Sequence, residues 1–157
     1  MIEPEEITEL QKEIRNIILE ETRCFLRRDY ESWAGCWIHD EKSTILECRP
    51  AFAEEITGWT RISEYMKNLL ESGTTELGDE VRKTDFSYRI GKDLAFVSFR
   101  ENGNASTRLL KKTDNGWKIC HVGVVYTSIY QRNGNYIQDW ETRNNKLEKT
   151  GLIENAQ

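Results

Sequence analysis

The chain has 157 residues, five tryptophans and a net charge of −5 at pH 7. That length fits one domain with a substantial core. The acidic balance, with no basic stripe interleaved with aromatics, argues against nucleic acid as a partner. Four cysteines (Cys24, Cys36, Cys48, Cys120) without a CxxC pair, beside only two histidines, point to buried thiols in a reducing compartment, not a disulfide framework or a metal site.

The opening MIEPEEITEL is acidic and lacks an apolar core, so no signal peptide is expected. No apolar run approaches the ~20 residues that span a bilayer. Together these features place the protein in the cytoplasm, away from membranes.

Residues 5–28 read as a long amphipathic helix, because Ile7, Leu10, Ile14, Ile17, Ile18 and Phe25 recur at spacings of three and four. Asp29 is placed to cap a short helix from Tyr30 to Trp37. Ser43 to Cys48 is a short strand ended by Pro50, and residues 51–57 read as a loop. A third helix spans 59–72 and stops at Gly73, before an acidic loop at Glu76 to Glu80.

Four strands follow: 81–90, 94–101, 105–113 and 117–130. Gly91-Lys92-Asp93, Asn102-Gly103-Asn104 and Asp114-Asn115-Gly116 supply the turns. In the last strand, alternation places Ile119, His121, Gly123 and Val125 on one face and Val122 and Val124 on the other, with Gly123 as the place for a bend. A helix-rich half followed by a sheet-rich half is an α+β pattern, filling 1–130 as one domain. Residues 131–157 are polar apart from Tyr136, Ile137, Trp140 and Leu147. They read as a C-terminal appendage, helical at about 136–149 and docked, or a frayed tail.

Three segments carry a resemblance: FLRRDYESWAGCW, TGWTRISEYM and TRLLKKTDNGWKICHVG. Their order resembles the nuclear-transport-factor-2-like superfamily. The last segment is most similar to the association domain of calcium/calmodulin-dependent protein kinase and its stand-alone relatives. The resemblance covers about residues 10–128. It implies a cone: a curved antiparallel sheet wrapped around the long first helix, with a pocket at the open end (the cystatin-like arrangement). It also implies homodimerisation through the sheet, with Val122, Val124 and their neighbours as the apolar outer face that a second subunit would cover. The superfamily includes isomerases, dehydratases, polyketide cyclases of the SnoaL-like type and non-enzymatic assembly modules, so it leaves catalysis open.

The candidate site residues follow from both readings. Arg108 matches an arginine lining the kinase pocket, and Ser98 falls where that pocket has another. A two-residue turn at 102–103 pairs Arg108 with Val97, whereas a three-residue turn pairs it with Ser98 and puts Arg100 on the same face. Arginines in a half-dry pocket favour a carboxylate; the alternative is a pair of solvent-exposed strand arginines. His121 fits an acid–base or a hydrogen-bonded core histidine. Gly123 stands where the kinase pattern often has a second His.

Tyr30, Trp33, Trp37, Trp59, Tyr65 and Tyr88 fit an aromatic pocket wall or plain core. His39 and Asp85 read as exposed. Local matching of STILEC to ketosteroid isomerase puts the base position on Cys48 and leaves Glu47 one residue away, and a thiol is a poor proton-abstracting base there. The expected ligand is a small organic molecule, apolar or carboxylate-bearing, with no cofactor and no metal. If chemistry occurs, it is of isomerase, hydrolase or cyclase type, with His121 as acid–base and Arg108 as clamp. The alternative is a non-catalytic oligomerisation or accessory module.

Overall fold

A computed structural model describes residues 7–50, 52–72 and 81–126. The elements run α1 (Glu9–Leu26), α2 (Tyr30–Gly35), β1 (Thr44–Cys48), β2 (Ala53–Thr57), α3 (Trp59–Ser72), β3 (Lys83–Ile90), β4 (Leu94–Glu101), β5 (Asn104–Thr113) and β6 (Gly116–Val125). The six strands form one curved, unclosed sheet in the order β2-β1-β6-β5-β4-β3. The Gly73 stop, the acidic loop at 76–80, the end of the last strand at 127–130 and the appendage at 131–157 lie outside the described residues.

Local chemistry sets the helix ends. Thr8 Oγ1 accepts from the Gln11 backbone N–H at 3.2 Å, while Gln11 Oε1 accepts from the Thr8 N–H at 2.9 Å. This capping box satisfies two donors that a helix start leaves bare. Asp29 caps α2 as expected, accepting from Ser32 N–H at 3.1 Å. The second helix stops at Gly35, short of Trp37, whose backbone instead bridges to Ile119.

The sheet departs from expectation in three places. First, β2 lies in what reads as a loop. Its sequence AEEIT buries only Ile56, because β2 is an edge strand held by β1 alone and needs no apolar face. Second, β1 runs parallel to β6, so the sheet is antiparallel except for that one ladder. Third, the last strand bulges at Cys120, not at Gly123: Leu109 pairs with His121 and Leu110 with Ile119, which leaves Cys120 unopposed. An extra residue reverses the alternation beyond it. Val122 and Val124 therefore join Ile119 in the core, and His121 and Val125 turn to the outer face.

A second bulge lies in β3. Thr84 pairs with Arg100 and Ser87 with Ser98, so Asp85 and Phe86 together oppose Phe99. Asp85 takes the left-handed conformation, φ 57°, that permits the extra residue; it is exposed, as expected. The turn between β4 and β5 uses two residues, Asn102 (φ 49°) and Gly103 (φ 83°), the paired positive φ values of a type I′ turn. Arg108 is thereby opposite Val97.

The core fills the space between the helices and the inner sheet face. Ile14 and Ile18 of α1, Trp33 of α2, Ile62 of α3 and Val97, Leu110 and Ile119 of the sheet are fully buried. Gly123 carries a separate constraint on the outer face. A Cβ there would sit 2.6 Å from Thr107 Oγ1 and 3.2 Å from His121 Nε2. We expect Gly123→Ala to cost about 1–3 kcal/mol in urea unfolding through this overpacking, and Thr107→Ala to recover part of the loss in the double variant. Additive effects of the two substitutions would contradict the contact.

Candidate functional site

The inner face at the β3–β4–β5 end carries charge where apolar side chains would be expected. The β3 bulge sets Lys83 directly opposite Glu101, and both point inward. Arg108 points to the same place from β5. The side chains are 1 % (Lys83), 15 % (Glu101) and 4 % (Arg108) exposed. Lys83 Nζ forms a close ion pair with Glu101 Oε1. The same oxygen lies 3.6 Å from Arg108 Nη2, close enough for Coulomb attraction but beyond hydrogen-bonding distance.

The ring of Phe99 is the floor. Lys83 Nζ sits 5.0 Å and the Arg108 guanidinium carbon 5.1 Å from its centroid, within cation–π range. Arg108 Nη1 donates to Ser106 Oγ at 2.8 Å and to the Thr107 carbonyl at 3.0 Å. Its Nε is buried and has no partner among the described residues. The Nε–Nη2 edge, the side-on fork that grips a carboxylate with two parallel bonds, thus makes no hydrogen bond among the described residues. Glu21 is the other carboxylate in this part of the core. Its oxygens accept from Trp33 Nε1 at 2.8 Å and Thr22 Oγ1 at 3.4 Å, and Lys83 feels it only as a field. Burial pulls the Lys83 ammonium below the usual lysine range; Glu101 opposes the shift and Arg108 adds to it.

The other predicted residues are placed as follows. Ser98 and Arg100 point to the outer face, because the two-residue turn puts Arg108 on the side of Val97 and Phe99. Those two residues are not brought together with Arg108. His121 also lies outside, and the sheet stands between it and the Arg108 side chain. It therefore cannot act with Arg108 on one small ligand held inside the same chain. Its Nδ1 is 2.5 Å from Thr44 Oγ1. Burial lowers its pKa, with Arg108 adding to the shift and Glu55 opposing it.

The aromatics divide into two groups. Trp33 and Trp37 are core, and Trp59 stacks on Trp33 at 6.0 Å and beneath His39 at 3.9 Å. His39 is exposed between α2 and β1, as expected, while its ring also bonds the Ala34 carbonyl at 2.9 Å. Tyr30 bonds Ser63 Oγ at 2.5 Å, beside a hollow of about 310 Å³ between α2 and α3, away from Arg108. Tyr88 lies on the inner face and continues to Phe99 through the Tyr88–Phe86–Phe99 ring stack, at 6.0 and 5.0 Å. Tyr65 is half-buried, and burial raises its phenol pKa. Glu47 pairs with inward Val124 and bridges Arg49 at 3.2 Å, whereas Cys48 pairs with outward Val125.

Lys83 and Glu101 were missed by reading the sequence. Counting back from the Gly91 turn without a bulge sets Thr84 opposite Glu101 and turns Lys83 outward. No residue type at 84–86 announces the bulge.

No known protein-family model matches the chain, and no curated protein does. Solved structures do. A nuclear-transport-factor-2-like protein from Cytophaga hutchinsonii is 21 % identical, with 76 % of this chain and 98 % of that one aligned at a TM-score of 0.57. A cystatin-like domain of unknown function from Nostoc punctiforme aligns over 95 % of this chain and 90 % of its own, at 12 % identity and a TM-score of 0.59. A Thiobacillus denitrificans protein, provisionally named a calcium/calmodulin-dependent protein kinase type II association domain, aligns over 71 % and 92 % at 10 % identity and 0.54. Such identities speak to fold, and the fold is the cystatin-like, nuclear-transport-factor-2-like one that the sequence resembles.

The placement of His121 carries a pH prediction. Its folded pKa is depressed, so the unfolded chain takes up the proton first as pH falls through about 6.5. Stability contributed by the neutral ring is present above that value and lost as pH falls toward the folded pKa. Urea unfolding from pH 8 to pH 5 should show a shallower decline in His121→Gln than in wild type. Parallel curves would mean that the His121 ring titrates as freely as in the unfolded chain.

Proposed function

We propose that the protein binds a small organic carboxylate inside the sheet, with the carboxylate on the Nε–Nη2 edge of Arg108. The observation that carries this reading is the mismatch of partners at contact distance. Two desolvated cations, Lys83 and Arg108, share one carboxylate oxygen of Glu101, and the guanidinium keeps a buried unpaired Nε–H. A buried donor without a partner costs about 1–3 kcal/mol, and a ligand carboxylate would restore that bond. The apolar part of the ligand would meet the Phe99, Phe86 and Tyr88 rings. The reading concerns binding; the arrangement does not join His121 to Arg108 as an acid–base pair.

A second reading, self-association, is favoured by the outer face. Leu94 and Phe96 are 50 % and 41 % exposed, and Phe96 lies beside half-buried Leu109. These residues, and not Val122 and Val124, are the apolar outer surface that a second copy would cover. The two readings are compatible, because they use opposite faces of the sheet. For self-association, Phe96→Glu should move a sedimenting dimer toward monomer; an unchanged sedimentation coefficient would remove this face from consideration.

For carboxylate binding, a thermal-shift series of aliphatic and aromatic carboxylates should stabilise the wild type. A ligand at 100 times its Kd contributes about 2.7 kcal/mol. Arg108→Met should abolish the shift, and Arg108→Lys, which keeps the charge but not the fork, should weaken it. Equal shifts in wild type and Arg108→Met would be decisive against the assignment.

A further inference from the structure

We propose that Lys83 is a nucleophilic amine that forms an imine with the carbonyl carbon of a small keto acid whose carboxylate rests on Arg108. The inference builds on the carboxylate reading and narrows the ligand class to α- or β-keto acids.

The geometry brings together an amine, a carboxylate base and a guanidinium. The Lys83 side chain is almost wholly removed from solvent, unlike an ordinary surface lysine. Its Nζ and the Arg108 guanidinium lie over the same Phe99 ring, at 5.0 and 5.1 Å, and contact the same Glu101 oxygen. A ligand whose carboxylate engaged Arg108 would place its next one or two carbons on the side of Nζ. A carbonyl at that place distinguishes a keto acid from a plain carboxylate.

A resident base is in contact with the amine. Glu101 accepts the proton from the Lys83 ammonium and frees the nitrogen lone pair. Nitrogen attacks the carbonyl carbon, a C–N bond forms, and the C=O π pair moves to oxygen, which takes a proton from Glu101. Glu101 then takes one proton from the C–N+H2 nitrogen and passes it to the hydroxyl, which leaves as water as the nitrogen lone pair forms the C=N bond of the iminium. Ammonium plus ketone gives iminium plus one water, so atoms and charge balance and no oxidant or reductant is needed. Burial and the neighbouring guanidinium lower the lysine pKa, the means by which amines are activated for this chemistry. Arg108 then has two roles: it orients the ligand and disfavours a second positive charge on Lys83.

The test is reductive trapping on the full chain. Protein at pH 7 is incubated with pyruvate or acetoacetate and cyanoborohydride, and the adduct is located by intact-mass and peptide mapping. The expected result is one equivalent of adduct at Lys83, suppressed by a plain carboxylate that stabilises the protein thermally. Arg108→Met should slow trapping roughly tenfold or more, through loss of orientation. Lys83→Arg, which keeps the charge facing Glu101, should show no adduct at that position while melting cooperatively. Peptide mapping of the wild type decides the matter even if a variant fails to fold. Labelling spread over exposed lysines with Lys83 unmodified, in protein that carboxylates stabilise, would overturn the amine role and leave carboxylate binding standing. Absence of both stabilisation and adduct would overturn both.

Discussion

A single extra residue in a strand reverses the face of every side chain beyond it, and the interior of this protein depends on two such residues. At Asp85 in β3 the reversal brings Lys83 inward, opposite Glu101. At Cys120 in β6 it turns His121 outward and brings Val122 opposite Arg108. Without the second bulge, His121 would face Arg108 inside; without the first, Lys83 would be an exposed lysine of an edge strand. The chemistry available to the inner face is set by these slips as much as by residue identity.

The charged group they assemble is costly to bury. Desolvating a cation is offset only by close partners, and breaking such a group by removing one member leaves an uncompensated charge, a loss of about 3–5 kcal/mol in comparable buried pairs. Here the compensation is uneven. Lys83 has Glu101 in contact, whereas Arg108 has one hydroxyl, one carbonyl, a carboxylate at 3.6 Å and an empty Nε. A fold that retained charge only for packing would gain by replacing Arg108 with an apolar residue. Its retention, half-satisfied, is the feature on which the proposed carboxylate site rests.

The two faces of the sheet are separable. Lys83, Glu101 and Arg108 are inside, while His121, Ser98, Arg100, Leu94 and Phe96 are outside. Residues close in the sequence, such as Arg100 and Arg108 across a short turn, lie on different surfaces. The two proposed roles, ligand binding inside and self-association outside, would not compete for the same side chains. The aromatic ladder of Trp33, Trp37 and Trp59 belongs to neither: it joins the helices to one another and to the start of β1.

Sequence alone determined the helices, five of the six strands, the Asp29 cap and the fold, because apolar spacing and turn residues act locally and are written in residue type. The resemblance singled out Arg108, but residue type alone left open whether it is exposed on the strand or buried, and only the register of the strand pair places it inside. The sequence also left the turn at 102–104 open, since Asn-Gly-Asn suits either length. It gave no sign of β2, whose edge position frees it from an apolar pattern, nor of Lys83 and Glu101 as a pair. Those were decided only in the tertiary structure. Bulges arise where a sheet must curve around its helix, and that demand comes from packing across the whole domain, not from any residue near the bulge.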